Sequence, residues 1–368
     1  MPSAVNRNLE IIIYDKNGDP AGYLNKIASI DWEYNRRGGC GQANAIISAP
    51  YDDMVTKLLP RTQVGIFIDN QLRYKGKLSK LNRIVQSGNE AIQCIFYGFI
   101  NDLSTLIVNA DYADDEISVI IKDILDNYVL PYSDITYDDA DIEETDYAVS
   151  VISFNHTIMD AFRLLGDLAG NVEWGVDRDK KFFFKATDPN IRRVYVLGRE
   201  VDSYVEERKD ESVVNQVRVF GSSGLLTTLT AAFSNTVHGT KTANLFEGSI
   251  SEASDAARLG SVYLKKTSNS QRAVKFSINK PDEFIELSTP LGATTVNANF
   301  VNRLQKYSTF KYGTSNKYGN LKRDQIQNIR YFITGGGMRL EMTLQDDVPN
   351  LGDLQKRFEY ELKEVQRR

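Results

Sequence analysis

The stretch Ala28–Ser48, ASIDWEYNRRGGCGQANAIIS, decides how the rest of the chain is read. Ile30, Trp32 and Tyr34 alternate with Ser29, Asp31, Glu33 and Asn35, the period of two that marks a strand with one buried face. Arg36 and Arg37 lead into Gly38, Gly39 and Gly41, which can supply the positive φ angles of a tight reversal. Gln42–Ser48 then returns with small and β-branched residues. The pattern predicts a β-hairpin: an aromatic strand, a basic-glycine turn and a plain return strand.

Downstream lie Pro50, a short apolar stretch Met54–Leu59 that predicts a small helix, and strand-like runs at Thr62–Asp69 and Leu72–Leu78. Upstream, Asn8–Asp15 reads as a strand and Asn17-Gly18-Asp19-Pro20 as a turn. Lys80–Val85 and Ala91–Phe96, separated by Ser87-Gly88-Asn89, complete about seven strands, enough for a small barrel or barrel-like sandwich. The order of the motifs resembles the tube-type β-barrel domain of phage tail hub and tail-associated proteins. In that family an aromatic strand with a following arginine enters a glycine turn, and a later hairpin carries the spacing seen here in Val64, Ile66, Gly76 and Leu78.

From Val108 the character changes. Ile117, Ile120, Ile121, Ile124, Leu125 and Tyr128 recur at helical spacing, behind Asp114, Asp115 and Glu116 at the positive end. Thr157-x-x-Asp160 approximates a capping box, and Ile158, Ala161, Phe162, Leu165 and Leu168 form one apolar face that ends at Gly170. Val172–Val176 and Phe182–Lys185 follow as a hairpin, and Trp174, Asp177 and Phe182–Phe184 resemble the middle domain of the hub family. The acidic stretch Asp134–Asp146 lacks the spacing of a calcium loop and reads as a solvated loop.

Val205–Gly221, VEERKDESVVNQVRVFG, carries the second resemblance, the family's return to a further tube-type domain. Strands are predicted at Leu226–Phe233 and Ala243–Phe246, then a helix over Glu252–Lys266 whose Ala253, Ala256, Ala257 and Gly260 suit close packing on a sheet. Arg272–Ile278, Thr294–Asn299, Ile326–Ile333 and Met338–Leu344 complete the strands, with Gly335-Gly336-Gly337 as the last turn. Arg303, Lys306, Lys311, Lys317, Lys322 and Arg323 among tyrosines read as a surface loop facing a protein neighbour. After Pro349, Leu351, Leu354, Phe358, Leu362 and Val365 form the stripe of a charged helix too short to persist alone.

Composition bounds the function. The chain has 368 residues, a net charge of −5, two histidines and two cysteines. The charge argues against wrapping a phosphate backbone, and no apolar run reaches the length of a membrane span. Cys40 and Cys94 make no disulfide framework and point to a reducing compartment. His156 reads as a helix-terminal residue, neither His156 nor His238 sits near a nucleophile motif, and no spacing suits zinc or a nucleotide. No catalytic, cofactor or metal residues are expected.

The expected fold is α+β, mostly β. A first tube-like barrel spans 1–107, a middle α+β domain 108–200, a second tube-like β domain 201–349 and a C-terminal helix 350–368. The resemblance implies a structural hub of a virion tail tip or baseplate, made in the host cytoplasm. It would be a homotrimer joining a six-fold tail tube or distal tail ring protein to a three-fold tip, spike or fibre-bearing protein. Genomic DNA would pass through its lumen without sequence-specific binding. Arg36, Arg37, Leu354, Phe358, Leu362 and Val365 are the expected subunit or partner contacts. Two other readings remain at this point: a tail-associated peptidoglycan hydrolase or a fragment of one, and a host-surface carbohydrate-binding β protein. The second would want exposed tryptophans, whereas Trp32 and Trp174 both read as buried.

Overall fold

Ile30, Trp32 and Tyr34 are buried along the strand Ile27–Asn35, and Trp32 stacks on Tyr331 with ring centroids 5.1 Å apart. The return strand, expected over Gln42–Ser48, runs from Arg37 to Ile47, so the hairpin forms as the alternation requires. A computed structural model describes residues 9–15, 18–59, 62–86, 89–188, 191–196, 201–209, 213–268, 271–279, 291, 293–297, 324–335 and 337–344.

Among these residues the hairpin lies in the middle of one large sheet. Its order is Ser203–Lys209, Gln271–Asn279, Gly337–Leu344, Asp324–Thr334, Ile27–Asn35, Arg37–Ile47, Asn89–Tyr97, Gln71–Gln86, Gln63–Ile68, Leu9–Tyr14 and Pro20–Leu24. Strands from the two ends of the chain therefore pair directly, Ile27–Asn35 against Asp324–Thr334, with Trp32 opposite Tyr331 and Ile30 opposite Ile333. One apolar core serves these eleven strands: Ile11, Ile66, Tyr74 and Phe96 from the first part, Phe276, Ile329, Leu340 and Met342 from the last. The mostly β expectation is met.

A second core begins at Phe99. It gathers the helix Ile117–Ile124, the helix Ile158–Ala169, the hairpin Val172–Val176 and Lys181–Ala186, and the strand pair Ile107–Glu116 with Ala148–Thr157. Thr157 caps the second helix by accepting from the Asp160 amide at 3.2 Å, and Gly170 ends it at φ +92°.

The two cores draw on residues from both sides of position 200. Ser203–Lys209 and Gln271–Asn279 pair antiparallel within the first sheet, so residues 213–268 are an excursion between two partnered strands. That excursion supplies Val217, Val219, Ile250, Ala256 and Leu259 to the second core. The physical reason is the helix Ala253–Thr267: a Cβ on its Gly260 would stand 2.6 Å from Leu229 Cδ1 and 3.1 Å from Val217 Cγ1. Bare backbone there lets the helix lie on the strands. The expected strand Leu226–Phe233 stops at Thr230, and Ala232–His238 is helical.

The acidic stretch is also corrected. Thr136–Ile142 is a strand, paired parallel to Lys181–Ala186. Asp138 meets Lys181, Asp139 meets Lys122, Asp141 meets Lys185 and Asp134 meets Lys180. Lysines distant in sequence compensate the charge that made the stretch read as a loop.

Candidate functional site at the junction of the two cores

The basic-glycine turn that opened the sequence reading is where the two cores meet. Arg37, Gly38 and Gly39 pair parallel with Trp174, Gly175 and Val176 of the second core. Gly38 and Gly39 hold φ of +124° and +70°, which glycine alone adopts readily. A Cβ on Gly39 would lie 2.7 Å from the Val176 carbonyl carbon, so the glycines serve a close backbone approach as well as the turn.

Both arginines were expected as subunit or partner contacts. The structure buries Arg36 and leaves Arg37 half-buried. Arg36 is 5% exposed, and its Nη1 donates to Gln325 Oε1 at 2.5 Å. Its Nη2 donates to Asn171 Oδ1 at 3.0 Å and to Thr187 Oγ1, and its Nε lies 3.5 Å from Glu173 Oε1. Glu173, itself buried, accepts from the Leu291 amide at 2.6 Å through its other oxygen. A guanidinium brings five N–H donors into the interior and is tolerated only where acceptors converge. Four residues from three segments supply them here: Asn171 with Glu173, Thr187, and Gln325.

Arg37 sits at the C-terminal end of the helix Ile158–Ala169. Its Nη1 contacts Asp167 at 2.6 Å and its Nη2 donates to the Gly170 carbonyl at 3.0 Å. Arg258 joins from the Ala253–Thr267 helix, donating to the Leu168 carbonyl at 2.9 Å and to Asp146 at 3.1 Å. Two cations thus satisfy the free carbonyls at the negative end of one helix. A cavity of about 600 Å³ opens beside them, bounded by Arg36, Arg37, Glu143, Arg258 and Gln325. Along its wall Arg258 pairs with Asp146, and Arg37 and Lys266 share Asp167.

The face of the large sheet away from its core is polar. Arg330 contacts Asp31 at 2.7 Å, and Asn44 donates to Asp31 at 3.0 Å. Asn328 donates to Asn35 at 2.6 Å, and Arg339 pairs with Glu341 at 2.7 Å. These side chains lie on adjoining strands from both ends of the chain, and neighbours cancel the formal charges.

The remaining sequence signals separate clearly. His156 Nδ1 lies 3.1 Å from the Thr157 carbonyl oxygen and Nε2 3.1 Å from Ser249 Oγ, which ties the helix start to a loop with Ser249 buried. Cys40 and Cys94 share the first core as free thiols, and burial pushes both up, Cys94 to about 12. Among the described residues no group of three or more His, Cys, Asp or Glu side chains is placed to hold a metal ion, and no helix is long and apolar enough to cross a membrane. Leu354, Phe358, Leu362 and Val365 lie outside the described residues, as does the basic Arg303–Arg323 segment. Sequence reasoning missed Glu173, Asn171, Thr187 and Gln325 as partners of Arg36. The available signal was a glutamate beside Trp174 in a strand whose every residue is buried.

No family model and no curated protein matches the chain. Solved structures do match over nearly its whole length. The 43 kDa tail protein of prophage MuSo2 from Shewanella oneidensis is similar at a TM-score of 0.67 and 10% identity, covering 92% of this chain and 98% of that one. A tail protein from Neisseria meningitidis MC58 is similar at 0.63 and 10% identity, covering 93% and 97%. The prophage tail protein gp18 of Listeria monocytogenes EGD-e is similar at 0.53 and 10% identity, covering 96% and 99%. At such identities the shared property is the fold. The resemblance first read from the aromatic strand and its glycine turn holds at that level.

Proposed function

We propose that this chain, which has the fold of phage tail proteins, is a structural hub of a phage-type tail tip or baseplate. The observation that carries the reading is the in-register pairing of Ile27–Asn35 with Asp324–Thr334, which fuses strands from both ends of the chain into one sheet over one core. Two tube-like β units standing side by side would give that arrangement. Three copies would then present six such units to a six-fold tail tube or distal ring, and a three-fold base to a tip, spike or fibre-bearing protein. Closed cyclic symmetry is the ordinary route to such a ring.

The charge-cancelled polar face of the sheet suits a lumen through which genomic DNA slides. A passage needs a wetted surface without the clustered cations that would hold phosphates. Of the two arginines, Arg36 is enclosed within the chain. Arg37, 28% exposed, offers its outer edge to a neighbouring chain. The stripe Leu354, Phe358, Leu362 and Val365 is assigned to contact with the tip protein or a sister chain. The role is structural and not enzymatic.

Light scattering on the isolated chain, with electron microscopy of the assembled tail, tests the reading. A three-fold particle at the tip is expected. A single copy inside an intact tail would overturn the hub assignment. Release of peptidoglycan fragments by the purified chain would overturn the non-enzymatic role.

A further inference from the structure

The strands Leu226–Thr230, Gln216–Phe220 and Thr242–Phe246 form a separate three-stranded sheet in that order. One face packs on the Ala253–Thr267 helix. The other face is accessible and arranged in three rows. Leu226, Phe220 and Phe246 lie in register, with the two phenylalanine rings stacked at 4.8 Å and Leu226 54% exposed. Thr228, Arg218 and Asn244 form the next row, and Thr230, Gln216 and Thr242 the third. Arg218 is exposed, is the sole ionisable side chain in the three strands, and makes no ion pair among the described residues.

The edge strand beside these rows is open in a definite phase. The Gly221 amide donates to the Leu225 carbonyl at 3.0 Å, and the Ala231 amide to the Asn215 carbonyl at 2.7 Å. Bonded pairs alternate along an antiparallel ladder, so the N–H and C=O groups of Leu226, Thr228 and Thr230 face away from the central strand. Native sheets protect such edges with charge, proline or brevity. The large sheet does so at both ends: Pro20–Leu24 opens on proline, and Ser203–Lys209 carries Glu206 and Glu207. Leu226–Thr230 is five residues long but has no charge and no proline.

We propose that the Leu226–Thr230 edge is a strand-docking site for an extended segment of a partner protein, one carrying an apolar side chain and, two residues along, a carboxylate. An added strand would take up the outward groups of Leu226, Thr228 and Thr230. The residue opposite Leu226 extends the apolar row over Phe220 and Phe246. The residue opposite Thr228 falls in the Arg218 row, about 10 Å from it between backbones at two strand spacings, a gap that an arginine and a glutamate close together.

The test uses the intact chain and a capped, fluorescein-labelled threonine-rich nonapeptide with one leucine and one glutamate two positions apart. Anisotropy should show saturable binding. A matched peptide with lysine in place of the glutamate should bind about tenfold more weakly, and R218E should reverse that preference. T228P removes an outward N–H while sparing the ladder, a placement proline tolerates, and should abolish binding with an unchanged melting temperature. Absence of saturable binding would overturn the proposal, as would binding indifferent to both R218E and T228P. A particle mass that T228P lowers would assign the edge to a second copy of this chain and overturn the partner.

Discussion

Gly175 lies directly against Gly38: in the parallel pair that joins the two cores, a Cβ on Gly175 would stand 2.8 Å from the Gly38 carbonyl oxygen. Backbone meets backbone there, with no flexible side chain to give way. G175A should therefore push the cores apart and cost about 3 kcal/mol or more, the upper end for overpacking at a rigid site. The urea midpoint measures it. Wild-type stability in G175A would mean the strands separate at no cost.

Arg36 and Glu173 predict a second loss. Removing one member of a buried ion pair leaves the other uncompensated, and R36A should cost about 3–5 kcal/mol. The double substitution Arg36→Met with Glu173→Leu should be milder than R36A alone, because neither charge is then left buried. A double variant weaker than the single one would show that the other acceptors around Arg36 carry the junction.

The acid limb of stability should show Glu116. Burial pushes its carboxyl up, but hydrogen bonds from Ser118 and Thr145 outweigh that and hold it below the ordinary carboxylate range. With the folded value below the unfolded one, its contribution is complete above about pH 4.3 and disappears as pH falls through the folded value. Stability measured from pH 5 downward should fall more steeply in the wild type than in E116Q. Parallel curves would remove Glu116 from the acid response.

Cys40 and Cys94 should be silent to thiol reagents in the native protein. Only thiolate reacts, and burial disfavours it at both positions. Modification by Ellman's reagent should speed up on the order of a hundredfold in urea. Fast labelling of the native chain would place one of them at a surface.

Deleting Leu351–Arg368 should leave the melting temperature of the isolated chain nearly unchanged while trimer formation or attachment of the tip fails. A loss of many degrees with assembly intact would make the segment an internal cap.

Much of this architecture was legible where the cause is local. Ile30, Trp32 and Tyr34 declare a strand by alternation, the Ile117–Ile124 helix by its spacing, and Thr157 with Gly170 the two ends of another. Arg36 was misread because its acceptors lie 135 to 289 positions away, and no local pattern reports them. The acidic strand Thr136–Ile142 failed for the same reason: Lys181 and Lys185 neutralise it from a neighbouring strand. The second core's claim on residues 213–268 followed from Gly260 lying flat against Val217 and Leu229, a contact that composition hints at and only packing decides.

The sheet that spans both ends of the chain sets a timetable. Ile27–Asn35 leaves the ribosome early, yet its partner Asp324–Thr334 is made nearly 300 residues later, a delay of roughly 15–60 s at ordinary elongation rates. For that interval the aromatic strand can hold its hairpin with Arg37–Ile47 while its other edge stays bare. Pairing so remote in sequence is slow to form and exposes sticky intermediates. Nascent chains stalled before residue 324 should accordingly draw holdase chaperones to the Trp32 strand, and the finished chain should release them.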